Sequence, residues 1–185
     1  MDRASRTKDE WIGLRCQSGE PEGFEDLIAL MERPLLYHAA KLTGNVEAAL
    51  DVLQEVWIRV FRGIGRLKDP GSLRPWLYRI THGIAVDCLR RDSFRGRAEE
   101  VHIVVSQELA EPSFAEEDSA ALHQGLNELG LKHREVPVLH FLEDFSLAEI
   151  AGIVGCSEGT VKSRIHYAKI ALKEILLRGG YGTQR

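Results

Sequence analysis

Apolar residues recur every three or four positions along most of the chain, the spacing of one helical face, and no sustained alternation of apolar and polar residues builds a strand. The pattern predicts an all-α protein. A first helix is expected through "FEDLIALMERPLLYHAAKLTG", with Phe24, Leu27, Ile28, Met31, Leu35, Leu36, Ala39 and Leu42 on its buried face and Gly44 at its end. Pro34 should bend or split it. A second helix starts after the N-cap Asn45, buries Leu50, Leu53, Val56, Trp57 and Val60, and stops at the turn-forming "KDPGSLRP". The third, "WLYRITHGIAVDCLRR", sets Leu77, Ile80, Thr81, Ile84 and Cys88 on a core stripe.

From Arg95 to Asp118 no helical face is sustained, and "VHIVV" is too short to form a sheet alone, so this acidic stretch reads as a linker. The expected organisation is two small helical domains, 1–97 and 119–185, joined by an acidic linker over 98–118. In the second domain, Ser146 and Glu149 have the spacing of a capping box, which starts a short helix at Leu147. Gly155 supplies the positive φ that ends it, and Ser157 caps the next helix at Glu158. Two helices joined by a short glycine turn form a helix-turn-helix, with Ile150, Val154, Val161 and Ile165 as its core and the small Ala151 at the crossing.

Charge changes the picture more than composition does. The net formal charge is only -4, but residues 59–97 carry +7, residues 98–118 carry -7 without a single cation, and residues 1–58 carry -5. A basic block between acidic ones implies an anionic partner for the middle of the chain and other partners for its flanks. In the third helix, Trp76, Arg79, Gly83, Val86 and Arg90 share the face opposite the core stripe, with Arg91 nearby. Aromatic rings that stack on unpaired bases, interleaved with cations that follow phosphates, suit a single strand. The plainer alternative is a tryptophan packed at a helix end beside solvated arginines. In the helix after Ser157, the residues Glu158, Thr160, Lys162, Ser163, Arg164, His166 and Lys169 lie outside the core and offer the groups that read a major groove. Asp51, Gln54, Glu55 and Ile58 form an exposed cluster, either plain surface or a docking face for a basic partner.

Taken in order, "DVLQEVWIRVF", "RPWLYRITHGIAVDCLRR" and "SLAEIAGIVGCSEGTVKSRIHYAKIALKE" resemble the extracytoplasmic-function (ECF) sigma factors of bacteria, from about Phe24 to Leu177. The resemblance implies a factor that binds core RNA polymerase and directs it to promoters. The first domain would melt and read the minus-ten element through Trp76, Arg79, His82, Gly83, Val86, Arg90 and Arg91. The second would read the minus-thirty-five element through Ser157, Glu158, Thr160, Lys162, Ser163, Arg164, His166 and Lys169. By position, Asp51, Gln54, Glu55 and Ile58 would dock on the clamp helices of the polymerase's largest subunit, and the linker would thread the RNA channel. An anti-sigma factor is the implied regulator. Two positions depart from the family pattern: asparagine is usual where this chain has Gly83, and Pro137 interrupts an aliphatic helix that should start late or kink. For Gly83 two alternatives stand, a bare backbone that lets the strand approach closely or a lost base contact that relaxes promoter choice.

The competing class is a stand-alone helix-turn-helix regulator that binds an operator without polymerase. Enzymes are disfavoured by the lack of a phosphate loop, an H-E-x-x-H pair, a dinucleotide turn or a nucleophile elbow. No cofactor, metal or small-molecule substrate is expected: the seven histidines are scattered, and the three cysteines, Cys16, Cys88 and Cys156, form no C-x-x-C pair. A polar start and the lack of a long apolar run predict a cytoplasmic protein without membrane insertion.

Overall fold

The computed structural model describes residues 3–94 and 125–178, except 127 and 130. All regular elements among them are helical. The first unit comprises α1 (Arg3–Gln17), α2 (Pro21–Thr43), α3 (Val46–Gly63) and α4 (Leu73–Phe94), with 3-10 turns at Ile64–Arg66 and Pro70–Ser72. The second comprises α5 (Leu131–Pro137), a π-helical turn Val138–Leu142, α6 (Leu147–Val154) and α7 (Glu158–Arg178). The expected linker, with "VHIVV", and most of the stretch 119–130 that follows it lie outside the described residues.

Local chemistry fixes the helix ends. Asn45 Oδ1 accepts the backbone N–H groups of Glu47 and Ala48 at 2.7 and 3.3 Å, which relieves two of the unpaired donors at the start of α3. Gly44 closes α2 at φ 78°, a left-handed conformation that a side chain would resist. Pro34 neither splits nor ends α2, which runs unbroken from Pro21 to Thr43. Leu27 and Met31 before the proline and Leu35 and Ala39 after it are all buried, so packing on both sides offsets the roughly 3 kcal/mol cost of an interior proline. Ile28 and Leu50, expected in the core, are exposed, because the buried stripes run beside them through Leu27 and Met31 and through Ala49, Val52, Leu53 and Val56.

Helix α1 has no counterpart among the expected elements. Its buried stripe is Asp9, Ile12, Gly13 and Cys16, helically spaced but half polar or side-chain-free, so hydropathy does not reveal it. Asp9 is held by Arg74 of α4 at 3.2 Å. Gln17 Nε2 donates to the carbonyls of Ile64 and Leu67, which pins α1 to the turn before α4. At Pro137 the helix starts on time, at Leu131, and changes pitch: Glu143 N–H donates to the Val138 carbonyl at 3.2 Å, the i→i+5 bond of a π turn.

The two units pack on each other through α2 and α4. Tyr37 of α2 is buried among Leu126, Leu129, Val138, Ala168 and Leu172 of the second unit. In return Phe145 meets the Tyr78 ring of α4 edge-on at 4.9 Å, and the His38 ring lies 5.1 Å from that of Tyr78. Arg134 donates to the Lys41 carbonyl in the last turn of α2, where a cation is favoured by the helix dipole.

His38 is enclosed on all sides, and its pKa is lowered to about 4, chiefly by burial, with Glu135 opposing the shift and His82 adding to it. The unfolded chain takes up a proton near the ordinary value of 6.5, so this stabilising contribution is full above that pH and is lost as pH falls towards 4. Urea unfolding should therefore lose up to about 3 kcal/mol from this group between pH 7 and pH 4, and the loss should shrink in His38→Asn. Equal pH slopes for the two proteins would remove His38 from the acid limb.

Candidate nucleic-acid interface

Three exposed surfaces carry the residues singled out from sequence, each on its own helix. On α4, Arg79, Arg90 and Arg91 are exposed, while Trp76, Gly83 and Val86 are half-buried. The indole of Trp76 packs on the end of α3, where a Cβ on Gly63 would come within 3.3 Å of it, so the ring anchors α4 while leaving part of its surface uncovered. Around Gly83 the surface is open: a Cβ there would meet nothing within 4 Å. Among the described residues, no packing therefore calls for a glycine. Arg90 lies 3.9 Å from Asp87, and Arg91 Nε donates to the Asp87 carbonyl, so both guanidinium groups are braced along the outer edge of the helix.

His82, the remaining predicted position on this helix, is half-buried, and its Nδ1 is hydrogen-bonded to Oε1 of Glu135 in the second unit. Helix α4 thus has three faces. Leu77 and Ile84 sit in the core, Tyr78 and His82 meet the second unit, and Arg79, Gly83 and Arg90 are open.

In the second unit the capping box is complete. Ser146 Oγ accepts the Glu149 N–H at 3.3 Å, and the Glu149 carboxylate accepts the Ser146 N–H at 2.8 Å. Gly155 turns the chain at φ 69°, and Ser157 Oγ accepts the Thr160 N–H at 3.2 Å at the start of α7. Ile150, Ile153, Val161 and Ile165 are buried at the crossing; Val154, placed in the core from sequence, is only half-buried, and Ile153 takes that role. Ser157, Glu158, Lys162, Ser163, His166 and Lys169 are exposed, with Thr160 and Arg164 half-buried beside them. The Ser163 hydroxyl is turned back onto the Gly159 carbonyl. Lys169 Nζ sits 5.3 Å from the Phe141 ring centroid, which holds that cation at the far end of the ridge.

On α3, Asp51, Gln54 and Ile58 are exposed, and Glu55 is tied to Arg59 at 2.9 Å. Two further residues belong to this surface: Leu50 and Phe61, 44% and 71% exposed, flank Ile58 at 46%. The run 50, 54, 58, 61 is helically spaced, and that period was the signal available in the sequence. Phe61 keeps its orientation by packing on the Phe24 ring at 5.1 Å. The three surfaces lie on separate helices, and among the described residues no group of three His, Cys, Asp or Glu side chains is placed to hold a metal ion.

Two families match the chain: Sigma-70 region 2 over residues 27–95 and Sigma-70, region 4 over residues 119–172. The chain is 34% identical over 147 residues to the ECF RNA polymerase sigma factor SigL of Mycobacterium tuberculosis, covering 74% of this chain and 78% of that relative. It is 28% identical over 174 residues to the ECF RNA polymerase sigma factor SigW of Bacillus subtilis, covering 88% of this chain and 93% of SigW. In fold it is similar to the sigma factor RpoE of Bartonella quintana, solved with the anti-sigma factor NepR, at TM-score 0.67 and 24% identity over 83% of this chain and 96% of that one. A basic α4 with an open face and an intact helix-turn-helix, in the order these relatives share, place the chain among the ECF RNA polymerase sigma factors, which bind core polymerase and direct it to promoters.

Proposed function

We propose a division of labour among the three surfaces. The stripe of Leu50, Asp51, Gln54, Ile58 and Phe61 docks on core polymerase; the open face of α4 captures the non-template strand of the melted minus-ten element; and the first turns of α7 read the minus-thirty-five element as duplex. The observation that carries the docking role is the exposure of three large apolar side chains at helical spacing on α3, interleaved with Asp51 and Gln54. A surface helix with no partner would gain nothing from that arrangement. For α4, guanidinium groups on either side of an uncrowded backbone suit a flexible anionic strand better than a rigid duplex.

The acidic stretch 98–118, seven carboxylates without a cation, suits a basic channel of the polymerase, where it would stand in for nucleic acid. An anti-sigma factor, the class of protein with which RpoE was solved, is the regulator we propose. The work is done in the cytoplasm, where polymerase and chromosome meet; among the described residues no helix is long and apolar enough to cross a membrane. A stand-alone regulator is not favoured, because it would leave the α3 stripe without a partner.

Run-off transcription with purified core polymerase and a promoter library should show stimulation over core alone, and none would sink the assignment. Asp51→Ala with Gln54→Ala should weaken core binding by roughly tenfold, the effect of losing one or two interfacial polar contacts, while circular dichroism stays unchanged. Unaltered affinity would return these residues to plain surface. At Gly83, alanine should raise stability by about 0.5 to 1 kcal/mol, since a Cβ meets no obstacle there. Gly83→Asn should shift the minus-ten sequences selected from the library if the position reads a base, and identical selections would leave close backbone approach as its role.

A further inference from the structure

The turn that leads into the helix-turn-helix carries an aromatic that none of the three surfaces includes. Pro137 is followed by the π turn Val138–Leu142, in which an i→i+5 bond holds one residue more than an α-helical turn would. Phe141 lies in that turn, 42% exposed, and its neighbours are specific. The His140 ring lies 4.8 Å from it, and His140 Nδ1 donates at 3.1 Å to the carbonyl of Phe145, whose side chain is buried. From α7, Lys169 Nζ lies over the Phe141 ring at 5.3 Å from its centroid, within the reach of a cation–π contact. A lone exposed phenylalanine calls for no explanation. This one is braced through His140 and in turn holds a cation of the recognition helix.

We propose that Phe141 is a positioning residue for DNA: it sets the Lys169 ammonium in place to contact a phosphate at the edge of the duplex that α7 reads. The inference rests on the duplex-reading role proposed above for α7. Base edges are met by the first turns of a recognition helix, whereas Lys169 stands about 16 Å along the axis from Glu158, beyond the roughly 12 Å width of a major groove. A cation there meets the phosphate backbone, so it adds affinity and register without reading sequence. A lysine side chain has much rotamer freedom to lose when it is fixed against a phosphate, and a ring that restricts it beforehand removes part of that cost. The face of a ring is also a weaker partner than an anionic oxygen, so it orients the ammonium group and still yields it to DNA, where a carboxylate would retain it.

The test is an anisotropy titration of the full chain, over a range of salt concentrations, with two fluorescein-labelled duplexes: one carries the minus-thirty-five element selected in the run-off library and the other a scrambled sequence. Lys169→Ala should weaken both duplexes alike and reduce the slope of log affinity against log salt by about one. Phe141→Leu should weaken both by about two- to fivefold, the effect of losing an exposed cation–π contact, while Phe141→Tyr, which keeps the ring, should bind as the wild type does. In the Lys169→Ala background, Phe141→Leu should have no further effect. Should Phe141→Leu lose helicity by circular dichroism, pentafluorophenylalanine at position 141, which keeps the shape of the ring but reverses the charge on its face, takes its place with the same expected loss. A Phe141→Leu loss that persists in full without Lys169, or no loss at all, would overturn the positioning role even where Lys169→Ala weakens binding. A Lys169→Ala loss confined to the selected duplex would make Lys169 a base reader and overturn the phosphate contact. Affinity and salt slope indifferent to Lys162→Ala and Lys169→Ala together would instead remove the assignment of α7, and the role of Phe141 with it.

Discussion

Helix α4 has more neighbours than one amphipathic face can serve, and the rest of the structure is arranged around that constraint. Leu77 and Ile84 fasten it to the first unit, Tyr78 meets both His38 and Phe145, and among the described residues the strip through Arg79, Gly83 and Arg90 is left open. A helix held on two sides has little freedom to rotate or bend, so its open strip is presented in a fixed orientation. That rigidity is what a surface needs if it is to hold an otherwise flexible strand without reorganising.

The seam beside α4 adds buried polar groups to a hydrophobic core that runs through both units. Burial alone disfavours charge there: Lys41 has its pKa lowered to about 8 and His38 to about 4, in both cases chiefly by desolvation. Tyr78 is kept neutral by burial and by the neighbouring Glu143 carboxylate. Replacing such groups by well-packed aliphatic residues often leaves stability unchanged or raises it, so strength alone does not explain their presence.

How much of this was legible in the sequence depends on where each signal is written. The capping residues Asn45, Ser146, Glu149 and Ser157 and the turn glycines Gly44 and Gly155 act within a few positions of themselves, so the helix boundaries they set could be read locally. The exposed sets on α4 and α7 were legible for the same reason, through helical spacing. Helix α1 was hidden because an aspartate and a glycine occupy half of its buried stripe, with Asp9 made tolerable only by Arg74, sixty-five residues away. Tyr37, His38, Lys41 and Tyr78 gave no warning of burial, since what covers them is the other half of the chain. Leu50 and Phe61 were missed because apolar residues are assigned inward by default, and only the packed neighbours show that α3 already has a full inner stripe.

Tyr37 carries one more consequence. It is encoded in the first unit, yet its ring fills a place in the core of the second, among Leu126, Val138 and Leu172. A substitution there is felt as a cavity in a domain to which it does not belong by sequence, and a change of volume at Leu172 is felt in turn by α2. The two halves are therefore unsuited to being exchanged as modules between relatives: a graft that respects the boundary in the sequence would still cut through a shared core, and each half would arrive with a gap shaped for its former neighbour.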